Sequence, residues 1–492
     1  MPEHFRSLII ILVLATIYFA FARRSACAIT EAENFTRRRN IWFAMTLIAF
    51  LAYSFWVYIA ILTLLLIYAK RHESKPLSLF FFTLFVLPVA TIPIPGMGLI
   101  NYFFLLSHAR ILALLILLPA FLSLRRQSDT TPFGRTQSDR VLAAFLLLTV
   151  LLGLRETSLT DVMRQAFYMF VDVFLPYYVI SRSLRNMQDF RDALLSFLMA
   201  IMVLAPLAIF ESYRSWLLYS SVTSILQLEG GMTGYMGRGE LLRAITTAGH
   251  PIALGYLMVV GIGLYLFLQR SIQRKLIRRL GMALLVAALI GSMSRGPWVG
   301  AVALLVTFIA TGRYAIRNLL SLALATMLVL PLVSMLPGGE RVINLLPYIG
   351  STDEGNIDYR ENLITNSMIV IQRNLWFGSV DWNKTPEMEA MRQGEGIIDV
   401  VNSYIGIALA QGIIGLGLFV AVFALTLWGI YRAMGSIPDK TSEEYLLGRA
   451  LVATIFGILV TITTVSSITI IPIVYWSVVG LGVAYAQLMM RK

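Results

Sequence analysis

Apolar runs of about 20 residues, the length an α-helix needs to cross the hydrocarbon core of a bilayer, recur along this chain from Ser7 to Met490. Lipid offers no partner to an unpaired backbone N–H or C=O, so such runs are confined to helices. The sequence therefore predicts an all-α, polytopic helical membrane protein. Its 492 residues are 58% hydrophobic and 14% charged, against roughly half and a quarter in soluble proteins, which excludes a soluble domain or a disordered chain.

Lys and Arg number 40 and Asp and Glu 27, a net charge of +13. In a membrane protein that excess belongs in cytoplasmic loops, and no nucleic-acid partner is expected. The loop 269–279 holds Arg270, Arg274, Lys275, Arg278 and Arg279 without an acid and is read as cytoplasmic. Alternation then puts 70–76, 125–140, 181–192, 312–318 and 432–449 on the same side, and 93–102, 155–161, 212–251, 294–296 and 337–402 on the other. The stretch 41–69 is long for one helix and short for two. A tight hairpin near Ala52, Tyr53 and Ser54 keeps the arginines of 23–40 inside and gives about 14–15 transmembrane helices, with spans such as 77–92 and 103–124 among them. No repeat or linker divides the chain, so 1–492 is read as a single integral membrane domain with two large external loops, 212–251 and 337–402. Loops of that length are usually functional. Cys27, the only cysteine, excludes an internal disulfide.

Zinc-protease, phosphate-loop and hydrolase-elbow motifs are absent, no Asp-x-Asp pair lies in an external loop, and histidines are few, so neither metal nor cofactor is expected. The external side instead carries Arg214, Arg238, Arg243, Arg295, Arg341, Arg360, Arg373 and Arg392, against the charge trend. A guanidinium matches phosphate oxygens bidentately; the rival reading pairs each arginine with a nearby acid. Arg295 stands in a turn of a few residues between apolar spans, beside Ser292, Ser294 and the Gly296 backbone. A second segment runs from Arg243 to His250 and Pro251, where proline suits the first turn of a helix and His250 reads as a cap or an acid–base group. From Asp358 to Leu375 apolar residues recur at helical spacing, which predicts an amphipathic helix lying on the membrane surface or roofing a cavity. Glycines flank Glu395 beyond it, and Asp399 precedes the helix starting near Ser403, as catalyst or cap.

These features together resemble the O-antigen ligase and Wzy-type polysaccharide polymerase superfamily of bacterial inner-membrane glycosyltransferases. The resemblance rests on the arginine loop ending in His250 and Pro251, on Ser294, Arg295 and Gly296, and on the late loop closing with Asn402, Ser403 and Tyr404 before a glycine-rich helix. It implies a donor glycan on undecaprenyl pyrophosphate, metal-independent transfer, and an active face toward the periplasm. Arg243 and Arg295 would hold the pyrophosphate, with Arg360, Ser294, Asn402 and Tyr404 as further substrate ligands. The bilayer, a flippase and a chain-length regulator would be its partners. Ligases of the family carry a histidine immediately before the late Asn; here that position is Val401. Asp399, Glu395 and His250 are therefore the catalytic candidates. The preferred activity is inverting polymerisation of exopolysaccharide or O-antigen repeat units, with ligase-type transfer to a lipid A core as the alternative. A transporter or flippase is the alternative of another class, for which Asp172 and Pro176 inside one span would be the feature.

Overall fold

The computed structural model describes residues 2–98, 100–155, 158–228, 234–238, 241–334, 354–393, 396–468 and 470–491. Its main helices are α1 (Glu3–Ala26), α2 (Ala32–Leu51), α3 (Phe55–Arg71) and α4 (Pro76–Thr83). After a hairpin, β1 (Thr91–Pro95) and β2 (Tyr102–Ser107), come α5 (His108–Arg126), α6 (Gln137–Gly153), α7 (159–183), α8 (Met187–Arg214) and α9 (Pro251–Ser271). The rest are α10 (Lys275–Gly291), α11 (Arg295–Ala310), α12 (Ala315–Ser334), α13 (Glu354–Arg373), α14 (Ser403–Gly435), α15 (Glu443–Thr461) and α16 (Ile471–Arg491).

The chain is an all-α polytopic membrane protein. Among the described residues seven helices, α1, α5, α8, α9, α14, α15 and α16, are long and apolar enough to cross a membrane, and α11 and the first part of α12 are shorter apolar helices. That is fewer than the 14–15 of the hydropathy reading. The helices α3, α6 and α10 have 17 residues each, at the lower limit for a span. The stretch 41–69 does break at Ala52–Ser54, with Tyr53 at positive φ between α2 and α3.

Where a helix over 77–92 is expected, α4 stops at Thr83 and the chain turns into the antiparallel β1–β2 pair. Pro88, Pro93 and Pro95 cannot donate to a helical ladder. Hydropathy misses the change because Leu84, Phe85, Val86 and Leu87 are as buried as any span; irregular backbone at such depth is tolerated where protein surrounds it.

Helix α9 is the axis of the bundle. It carries no charge between Pro251 and Leu268, and every residue from Ala253 to Leu268 is buried, as a helix apolar all round must be. The loops sort to two ends. At one end Arg38 of α2, 1% exposed, bonds Glu73 at 2.9 Å and Asp192 at 3.0 Å. Arg182 bonds Asp139 at 2.6 Å, Arg185 bonds Asp129, and Arg270 donates to the Thr441 carbonyl. The loops assigned to the cytoplasmic side thus meet one another here. The opposite end gathers the described residues of 212–251, the α10–α11 turn and the described residues between α13 and α14, together with the N-terminus, where Glu3 accepts from the Trp216 indole.

Close packing at this second end depends on small residues. Gly296 and Gly300, four apart on α11, face α15 and its exit: a Cβ at Gly296 would stand 2.0 Å from Thr464 Oγ1, and one at Gly300 2.0 Å from Thr461 Oγ1. This is the small-xxx-small arrangement by which membrane helices approach closely. Helix α14 is broken at Gly412, whose φ of 67° suits glycine. The segment after α13 docks into the break, with Ile413 N donating to the Leu375 carbonyl at 2.8 Å.

Candidate active site

At the end that carries the two long loops, a cavity of about 430 Å³ opens between the loop before α9, the start of α11, the helix α13 and the approach to α14. Its walls include Arg238, Arg243, His250, Ser294, Arg295 and Gly296 on one side and Tyr359, Arg360, Glu361 and Asp399 on the other. Residues from separate parts of the sequence are thereby brought together.

Hydrogen bonds stitch the first wall. Arg243 donates from Nη2 to Ser294 Oγ at 3.1 Å, and Ser294 Oγ donates to the Ser292 carbonyl at 2.9 Å. Arg238 donates from Nη1 to the Met293 carbonyl at 2.7 Å, and Ala244 N donates to the Gly291 carbonyl at 3.0 Å. Ser294 is the N-cap position of α11 and Arg295 its first residue. The N-terminus of a 16-residue helix therefore faces the cavity, where the helix dipole favours an anion.

His250 is the N-cap of α9, its Nδ1 accepting from Ile252 N at 3.1 Å, and Pro251 is the first helical residue. An accepting Nδ1 carries no proton, so the neutral ring holds its hydrogen on Nε2. Burial, with the Arg243 guanidinium nearby, lowers the imidazole from its ordinary value to about 4. The side chain is thus both a cap and a neutral N–H donor.

The second wall has a small core of its own. Leu363, Val370 and Ile371 of α13 pack with Met388, Met391, Val400, Ala408 and Leu409, while Tyr359, Arg360, Glu361 and Ile364 of the same helix line the cavity as its roof. Its outer side leaves Met368, Ile369 and the following Trp376 and Phe377 exposed. Tyr359 lies within hydrogen-bond reach of the Asp399 carbonyl, 3.1 Å, and the Met391 carbonyl, 3.3 Å. Asp399 Oδ1 accepts from the Ser466 hydroxyl at 2.7 Å, and Ser403 N and Oγ donate to the carbonyls of Ile462 and Val465. These bonds bind the start of α14 to the exit of α15.

The cap of α14 is Asn402, whose Oδ1 accepts from Tyr404 N at 2.9 Å and Ile405 N at 3.2 Å. Asp399 is therefore not the cap. Asn402 and Tyr404 do not line the described cavity, and Tyr404 donates its hydroxyl to the Leu459 carbonyl. Glu395 and Arg341 lie outside the described residues. Arg373 and Arg392 pair with Glu387 and Glu389; for these two the ion-pair reading of external arginines is the correct one. Sequence reasoning left Tyr359, Gln393 and Thr464 out of the site, although all line the cavity. Tyr359 is locally only a neighbour of Arg360, and nothing local marks Thr464, which arrives from beyond the end of α15.

Residues 280–420 match the family model described as O-antigen ligase. The matched segment is similar to that family. The match supports the O-antigen ligase and Wzy superfamily, whose members are membrane glycosyltransferase-type enzymes. The domain takes in Arg295, the roof helix and Asp399, while Arg243 and His250 reach its cavity from outside the matched range. No curated protein matches the chain.

Proposed function

We propose that this protein polymerises oligosaccharide repeat units at the periplasmic face of a bacterial inner membrane, transferring glycan from undecaprenyl pyrophosphate to a hydroxyl of an acceptor sugar. One observation carries the reading: Asp399 shares a cavity with Arg243, Arg295 and the N-terminus of α11. The acceptor hydroxyl oxygen attacks the anomeric carbon, and Asp399 takes its proton as general base. The bond from the anomeric carbon to the diphosphate oxygen breaks and its electron pair leaves with the diphosphate. Arg243, Arg295 and the α11 helix dipole meet that growing charge, the electrostatic stabilisation that most lowers such barriers. His250 donates Nε2–H to an oxygen of the same leaving group, and Arg360 holds sugar or phosphate from the roof. Attack opposite the diphosphate inverts the anomeric centre, with no metal in the scheme.

Val401 favours polymerase over ligase. It lines the cavity, so the position at which family ligases place histidine offers an isopropyl group, and the nearest cavity carboxylate on that segment is Asp399. Ligase-type transfer is the second reading, favoured by the description of the matched domain. The test uses purified protein in proteoliposomes with lipid-linked oligosaccharide extracted from cells lacking it. A ladder of lengthened lipid-linked glycans supports polymerisation. A single transfer, made only when lipid A core is added, selects the ligase, and no transfer under either condition overturns both.

A further inference from the structure

Glu211 is a buried carboxylate that the transfer itself does not touch. It lies near the end of α8, is 0% exposed, and takes backbone N–H groups on both oxygens. Leu218 N donates to Oε1 at 3.0 Å, and Ile245 N and Thr246 N donate to Oε2 at 3.0 and 2.8 Å. Leu218 belongs to the start of the first long loop and Ile245 and Thr246 to its end, so one carboxylate ties the two ends of the loop together. Thr246 is held at a φ of 51°, a conformation a β-branched residue keeps only where its surroundings over-determine it. Ala244 is fixed from the other side by the Gly291 carbonyl, and Thr247 by Val89 N and the Phe85 carbonyl. Arg243 is the cavity-lining residue immediately ahead of this knot.

We propose that Glu211 is a positioning residue for Arg243: its carboxylate sets the path of residues 244–247 and thereby where the Arg243 guanidinium meets the diphosphate of the donor. The inference rests on the reading that Arg243 binds that diphosphate. Only a carboxylate serves, because both of its oxygens accept. A glutamine of the same size turns its own N–H₂ toward one of the two sets of donors and loosens one end of the loop.

The test is a double-mutant cycle in proteoliposomes, reading kcat and KM for lipid-linked oligosaccharide extracted from cells lacking the protein, with melting temperature as the control for folding. Glu211→Gln is expected to lower kcat/KM by roughly tenfold to a hundredfold, the range for leaving a buried donor unpaired. In an Arg243→Ala background the same change should cost about twofold or less, since the residue it positions is then absent. Equal penalties with and without Arg243 overturn the positioning role and leave the diphosphate assignment standing. Arg243→Ala without any effect overturns that assignment and this inference with it. Glu211→Asp, which keeps the two carboxyl oxygens, provides a second variant with partial recovery expected. If neither variant accumulates as folded protein, Glu211 is a folding residue alone and the proposal fails.

Discussion

The two ends of this bundle use arginine differently. At the basic end Arg38, Arg182 and Arg185 each bond carboxylates of neighbouring segments, and Arg38 is enclosed with Glu73 and Asp192. At the site end Arg243 and Arg238 reach across to a serine hydroxyl and a backbone carbonyl, and with Arg295 and Arg360 they line an open cavity beside a helix N-terminus. The first arrangement completes itself within the protein and holds helices together. The second lines space that a substrate can fill with four guanidinium groups beside the carboxylates Glu361 and Asp399. Substitutions at the basic end should change stability and leave the chemistry of the surviving molecules alone, and substitutions at the site end should do the reverse.

Asp399→Asn gives the largest effect. The amide still accepts from Ser466 but cannot take a proton, so turnover per folded molecule should fall by about 10²–10⁴, the usual contribution of a general base, with the melting temperature unchanged. Near wild-type turnover would move the base elsewhere on the wall. Arg38→Ala is the counterpart at the other end. It leaves Glu73 and Asp192 buried without their cation, which costs on the order of 3–5 kcal/mol, seen as poor accumulation and early melting while kcat of the folded fraction stays normal. A fully stable Arg38→Ala protein would break the contrast. Arg295→Ala should reduce kcat/KM by roughly tenfold to a hundredfold, from loss of a contact worth about 1.5–3 kcal/mol. Arg295→Lys should recover part, because an ammonium cannot make the bidentate contact.

Much of the site was legible where the evidence is local. Arg295 between two apolar runs, and His250 before Pro251, show themselves within a few residues, and the roof helix shows in its periodicity. What was illegible depends on distant chain. Thr464 reaches the cavity only because Gly296 and Gly300 let α11 lie against α15, and the sequence shows the glycines without the partner. Glu211 reads as the polar end of a span, since its three donors come from segments that hydropathy cannot place. The β1–β2 hairpin was hidden because buried irregular backbone and a membrane span have the same apolar composition. The expected span 77–92 was lost for that reason, while the helical membrane architecture was not.

The pH dependence of the rate sharpens the comparison further. His250, lowered to about 4 by burial and by Arg243, is neutral from pH 5 to 8 and should add no step to the profile there. A step in that interval that disappears in His250→Asn would give His250 a proton-transfer role in place of the donor role. The sign for stability follows from the same shift. The unfolded ring, near 6.5, binds a proton that the folded ring refuses between about 4 and 6.5. This contribution is therefore complete above about 6.5 and is lost as the pH falls toward 4.

The smallest effect separates a cap from a ligand. Asn402 stands in the late motif where the family resemblance would have it touch substrate, yet its Oδ1 is occupied by the N–H groups of Tyr404 and Ile405 and it does not line the described cavity. Ser and Asp cap a helix about as well as Asn, so Asn402→Ser should leave both stability and kcat/KM within about twofold of wild type. Asn402→Ala removes the cap and should cost about 1 kcal/mol of stability, with kcat/KM of the folded protein unchanged. A drop of tenfold or more in kcat/KM for the serine variant, at unchanged melting temperature, would return Asn402 to the substrate and enlarge the site toward α14.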